Sequence, residues 1–202
     1  MTATRSRSLW NACLILMSAS SAALAQAPAP TGAAPTTGAR AEALRIIQDA
    51  ENKLTKLGEA IPAEKYTWRP AKDVRSVSEV LLHVAGGNYF ITKRLGAEPP
   101  AGLNPQGFDK STTDKAKVLE WVKKSFDHVK QAATKLTDAD MEKTAPWFGD
   151  RQASYREILF FLGAHDHEHL GQTIAYARMN GITPPWTEEQ QQRQKAQAQP
   201  KN

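Results

Sequence analysis

The stretch Ala164-His-Asp-His-Glu-His-Leu-Gly-Gln172 places His165, His167 and His169, three of the chain's five histidines, within five positions. Imidazole is the commonest metal-ligating side chain and the one that titrates nearest neutrality, so spacing decides which chemistry is open to these residues. On a helix, residues four apart stack on one face and residues two apart diverge. His165 and His169 therefore pair, and His167 points the opposite way. Two solvated histidines on an exposed helix would give the same HxxxH spacing. Here, however, their face also carries Leu162, Thr173 and Tyr176, which makes it mostly a core-facing stripe. Buried imidazoles without partners are costly, and a shared metal is one economical way to satisfy both.

A further histidine, His83, lies in the apolar run LLHVAGGNYF, with Gly86 and Gly87 one turn later. A glycine inside a helix costs about 1 kcal/mol relative to alanine, so an adjacent pair requires a reason. Gly87, four residues after His83, sits beside it on the same face; it permits either close helix packing or room for a ligand. Gly163 and Gly171, flanking the histidine pair, leave the same two readings open. His83, His165 and His169 together would make a three-histidine site with its remaining positions open, the arrangement of catalytic rather than structural zinc. Imidazole equally suits nickel, copper or iron(II). Glu168 or Asp166 is placed to orient a ligand imidazole, and Gln172 and Asn88 to reach toward a substrate. No residue stands out as a general base. His128, between Asp127 and Val129, has no spacing partner and is expected at the surface.

The elements that must position these residues are helices. Apolar residues recur three or four apart at Leu44, Ile47, Ala50, Leu54 and Leu57, predicting a helix over 39–60 that ends before Pro62. Ser76 with Glu79 forms a capping-box signature for a second helix ending at Gly96. Val118, Val122, Phe126, Val129, Ala133 and Leu136 mark a third, from near Thr113 to about Thr137. Ser154 with Glu157 opens the fourth; Gly181 stops it, and Pro184-Pro185 is expected to forbid a restart. No convincing run of alternating strand residues is present. The expectation is an all-α four-helix bundle. Residues 97–112 are long for a turn between antiparallel neighbours, which suggests parallel second and third helices joined by a crossover, or a loop that covers something. Trp68, Trp147 and Trp186 either line a pocket or pack into the core.

Residues 1–25 combine Arg5 and Arg7, an apolar run from Leu9 to Met17 and a closing Ala23-Leu24-Ala25, the pattern of a secretory signal peptide. Its removal would take away the only cysteine, Cys13, and with it disulfides, thiol catalysis and thiolate metal sites. Residues 26–39 read as a flexible linker, 40–186 as the domain, and 187–202 as a loose polar tail. The expected mature chain is periplasmic or secreted, with no membrane span. The formal net charge is +5. It falls to about +3 without the signal, and the lysines are interspersed with carboxylates, which argues against nucleic-acid binding.

LLHVAGGNY around His83, the His165-x-x-x-His169 pair leading into LGQ, and the KYTWRP connector resemble the DinB-like superfamily, bacterial four-helix bundles that include metal-dependent thiol transferases. The resemblance spans nearly all of residues 40–186. It implies up-down-down-up helix order, a divalent metal on His83, His165 and His169, with zinc or nickel foremost and iron or copper as alternatives, and often a homodimer. Many relatives read HHRGQ where this chain has EHLGQ, so Glu168 and Leu170 depart from the pattern. Export also separates this chain from the mainly cytosolic thiol cofactors. The expectation is an exported metal-dependent transferase or hydrolase acting on a small-molecule substrate. The alternative is a non-catalytic metal or small-molecule binding module, and a bundle with vestigial histidines is a third reading.

Overall fold

The computed structural model describes residues 37–198; the expected signal peptide and most of the expected linker lie outside the described residues. Helix α1 (Gly38–Ala60) buries Ile47, Ala50, Leu54 and Leu57, the stripe its periodicity marks. Helix α2 (Val77–Thr92) opens on a full capping box: the Glu79 amide donates to Ser76 Oγ at 3.3 Å, and the Ser76 amide donates to a Glu79 carboxylate oxygen at 2.6 Å. After Thr92 the chain tightens into a 3-10 turn and stops at Gly96, whose φ of +83° suits a residue without a side chain. Helix α3 (Lys115–Lys135) is capped by Asp114, which accepts from the Lys117 amide at 2.9 Å. Helix α4 (Tyr155–Met179) is capped by Ser154, which accepts from the Glu157 amide at 3.1 Å. There the box is half formed, because Glu157 turns to Arg151 at 2.7 Å.

Both α1 and α2 pack against α3 and α4. Arg40, buried at the start of α1, donates to the Leu136 carbonyl just past α3, and Glu51 meets Lys130 at 2.9 Å, so these helices run antiparallel. Ile46 lies over Gly163 and Asp49 over His167, so α1 and α4 run parallel. His83 meets both His165 and His169, while Gly87, a turn further on, lies closest to His165, which makes α2 antiparallel to α4. Helices α2 and α3 thus share a direction and need the long connection between them. That connection also covers α2. Its Phe108 packs over Gly86, with its ring 5.3 Å from that of Trp121. Helix α2 is buried nearly all round, as a helix enclosed by two neighbours and a covering loop must be.

Two elements differ from expectation. A short antiparallel hairpin joins β1 (Thr144–Pro146) to β2 (Gln152–Ser154); strands this brief leave no usable alternation. The tail expected to be loose from Thr187 instead belongs to helix α5 (Pro185–Ala198). Proline fits a first helical turn, where its missing N–H is not needed, and the Glu, Gln, Arg, Lys and Ala that follow are good helix formers. Helix α5 buries no residue and meets α1 through Lys56 and Glu189 at 3.5 Å. Among the described residues no helix is long and apolar enough to cross a membrane.

A candidate metal centre between α2 and α4

His83 emerges from the middle of α2, and His165 and His169 from successive turns of α4. One ring nitrogen from each lies within 4.8 Å of the others. The Nε2 atoms of His83 and His165 are 3.3 Å apart. The His83 ring centre is 5.2 Å from that of His165 and 4.6 Å from that of His169, and the α4 pair is separated by 4.7 Å.

Each glycine that left two readings open has its own answer. A Cβ on Gly87 would fall 2.5 Å from Cε1 of His165, so this position is kept bare for the imidazole. On Gly86 it would meet Phe108 at 3.2 Å, and on Gly163 it would meet Ile46 at 2.8 Å, the second case being plain helix packing. A side chain on Gly171 would meet nothing within 4 Å.

His169 is held from behind. Its Nδ1–H donates to Gln172 Oε1 at 2.9 Å, and Gln172 Nε2 donates to the Tyr176 hydroxyl at 2.9 Å. Tyr176 in turn takes Trp68 edge-on at 5.4 Å. This chain fixes the His169 tautomer and leaves Nε2 as the nitrogen able to ligate a metal. Gln172 therefore braces a histidine, where the sequence suggested a reach toward substrate. Asp166 is fully buried, its carboxylate 3.6 Å from Nδ1 of His165. That is too long for a hydrogen bond, and neither carboxylate oxygen has a hydrogen-bond partner among the described residues. Burial pushes the Asp166 carboxyl up to about 6, with His165 pulling it back. Burial, then the charge of Arg75, brings His83 down to about 4, and burial lowers His169 as well. Both imidazoles are neutral near pH 7, the form that binds metal.

The other candidates lie elsewhere. His167 turns to α1, its Nδ1–H donating to the Gly163 carbonyl at 2.9 Å and its Nε2 lying 3.2 Å from Asp49. Glu168 is exposed, and Asn88 is buried with its amide donating to Ser125 at 3.0 Å. His128, expected at the surface, is half-buried with its ring 5.1 Å from that of Tyr89, because its helix face meets α2 as well as solvent.

A cavity of about 450 Å³ opens beside His83 and His165, walled by Phe90, Phe108, Phe148 and Phe161. Arg75 and Asp109 form its polar side, the Arg75 Nε donating to Asp109 at 3.4 Å. Trp147 backs the mouth, its ring 4.7 Å from Phe148 and 5.0 Å from Phe161. Of these walls Phe161, one turn before His165, and Phe90, two turns after His83, carried a spacing signal.

Residues 46–173 match the family model of the DinB superfamily. Among solved structures, a DinB-like protein from Bacillus cereus superposes with a TM-score of 0.62 at 19% identity, covering 71% of this chain and 93% of that one. A DinB-like protein from Bacillus subtilis gives 0.56 at 20% identity, covering 70% and 93%. An uncharacterised protein from Escherichia coli gives 0.56 at 19% identity, covering 71% and 95%. No curated protein matches the sequence.

Proposed function

The chain belongs to the DinB superfamily, and from that premise we propose that His83, His165 and His169 hold a divalent metal beside the apolar cavity, making the protein a metal-dependent transferase acting on a small molecule. The supporting observation is the convergence of three imidazole nitrogens within 4.8 Å. The donor set fits such an ion: two of the imidazoles are held neutral, His169 is braced through Gln172, and Gly87 clears space for His165. An all-imidazole set favours zinc or nickel, and suits iron(II) or copper. Such an ion supplies Lewis acidity or lowers the pKa of a bound group.

The chain's own residues set the rest. Phe90, Phe108 and Phe161 keep the cavity apolar. Its one carboxylate, Asp109, is engaged by Arg75. With no free carboxylate as base, activation of a nucleophile carried by a reactant is favoured over hydrolysis. The same lack supports a second reading, a non-catalytic metal or small-molecule binding module. Export to the periplasm or beyond, resting on residues 1–25, and assembly as a homodimer belong to the proposal.

Elemental analysis of the purified protein tests the metal centre, with wild type beside His83→Ala and His165→Ala. Near-stoichiometric metal in the wild type and loss in both variants is expected. Equal metal in all three, or none in the wild type after incubation with zinc or nickel, refutes it. Turnover of electrophiles that stops on chelation separates the enzyme from the binding module.

A further inference from the structure

We infer that the cavity takes a substrate with an aromatic-sized apolar body and a carboxylate end, the body seated against Phe90, Phe108, Phe148 and Phe161 and the carboxylate on Arg75, an assignment that rests on the proposed metal centre as the reactive end of the same cavity. The volume of about 450 Å³ is that of an ordinary small-molecule site. Phenylalanine faces and edges on several sides suit a flat apolar group.

Arg75 supplies the anion's partner. It borders the phenylalanine-lined cavity on one side and, on the other, a polar cleft that also carries Asp73, Lys110, Gln172 and the Arg69–Glu79 ion pair. Its only bond among the described residues is from Nε to Asp109. Both terminal amino groups stay available, and a planar guanidinium edge matches a carboxylate. Charge points the same way. An all-histidine donor set brings no negative charge to a divalent ion, Asp109 does no more than offset Arg75, and Asp166 is buried behind His165. An anionic reactant corrects that imbalance.

The competing role for Arg75 is a tether that holds the covering loop through Asp109. Calorimetric titration with phenylacetate and with its neutral counterpart phenylacetamide separates the two, on chelator-treated and zinc-loaded protein. Metal-free wild type is expected to prefer the carboxylate by about tenfold, the scale of a charge-assisted hydrogen-bonded pair. Arg75→Gln abolishes the preference, Asp109→Asn keeps or raises it by releasing Arg75, and Phe161→Ala weakens both probes alike. Equal binding of the two probes by the wild type, no binding of phenylacetate at millimolar concentration, or survival of the preference in Arg75→Gln overturns the assignment. Loss in both Arg75→Gln and Asp109→Asn makes Arg75 a tether and overturns it too. A preference confined to the zinc-loaded protein puts the carboxylate on the metal; that result defeats the Arg75 assignment and spares the metal centre. A preference in metal-free protein that never binds zinc does the reverse.

Discussion

Replacing Gly87 with alanine should raise the stability of the metal-free domain while crippling the proposed metal site. The new Cβ would lie 2.5 Å from Cε1, 3.1 Å from Nδ1 and 3.2 Å from Nε2 of His165. Carbon atoms rest at about 3.5–4.0 Å, so the ring must retreat by about 1 Å. It has somewhere to go, because His165 borders the cavity and its side chain is 13% exposed. Helices α2 and α4 therefore need not part. Alanine then contributes about 1 kcal/mol of helix propensity, worth about 2–4 °C for a domain of this size. A ligand nitrogen, in contrast, tolerates displacement of only about 0.2 Å. Zinc affinity should fall at least as far as it does when a ligand's outer support is lost, about 10- to 100-fold. Calorimetry of chelator-treated protein reads the first effect, and competition with a chromogenic chelator reads the second. Wild-type zinc affinity in Gly87→Ala would show that His165 is not a ligand. A midpoint several degrees lower would show that the ring cannot yield, and would refute the account of why this position is bare.

Other substitutions probe neighbouring parts of the same design. Gly163→Ala places a Cβ 2.8 Å from Ile46 where α1 crosses α4; overpacking of about 1–3 kcal/mol should lower the thermal midpoint with zinc affinity unchanged. Gln172→Leu removes the acceptor of the His169 Nδ1–H and should weaken zinc binding by about 10- to 100-fold, as a chelator competition would report. The metal-free domain should also carry two opposed pH dependences. Asp166, up at about 6 from its ordinary 3.8, makes the folded state the better proton acceptor, so its contribution falls as pH rises between those values. His83, down at about 4 from 6.5, makes the unfolded state the better acceptor, so its contribution grows across nearly the same span. Thermal midpoints measured from acid to neutral pH should therefore rise more steeply in Asp166→Asn and less steeply in His83→Gln than in wild type; three parallel profiles would refute both assignments.

The bundle was legible because its helices announce themselves locally. Ser76, Asp114 and Ser154 cap the helices that follow them, and Gly96 and Gly181 end helical segments with positive φ. The histidine pair was equally legible, since i,i+4 spacing needs no partner element to be read. Less visible were features that depend on what packs from outside. Asp166 adjoins two histidines in a polar stretch, yet its direction on α4 puts it in the bundle interior. His128, between Asp127 and Val129 and without a spacing partner, was expected at the surface, but Tyr89 closes over it from α2. Gln172 lies three residues after His169, a spacing that already permitted the bond it makes.

The site divides its duties between two kinds of structure. All three histidines stand on α2 and α4, antiparallel helices set in a buried apolar surround, with Gly87 left bare beside His165. Helix-borne ligands hold their geometry more closely than loop-borne ones. The cavity walls are mixed: Phe90 and Phe161 come from the same helices, whereas Phe108 and Asp109 come from the covering loop and Phe148 from the hairpin turn. Phe148 is 62% exposed and Phe161 37%, which costs solubility and contributes little to the core. Such exposure is understandable at the rim of a binding cavity and is hard to justify in a bundle whose only task is to fold. The covering loop therefore serves as more than a span between parallel helices. It buries the outer face of α2 through Phe108, and through Asp109 it brings the Arg75 side of the cavity up to the side that bears His83 and His165.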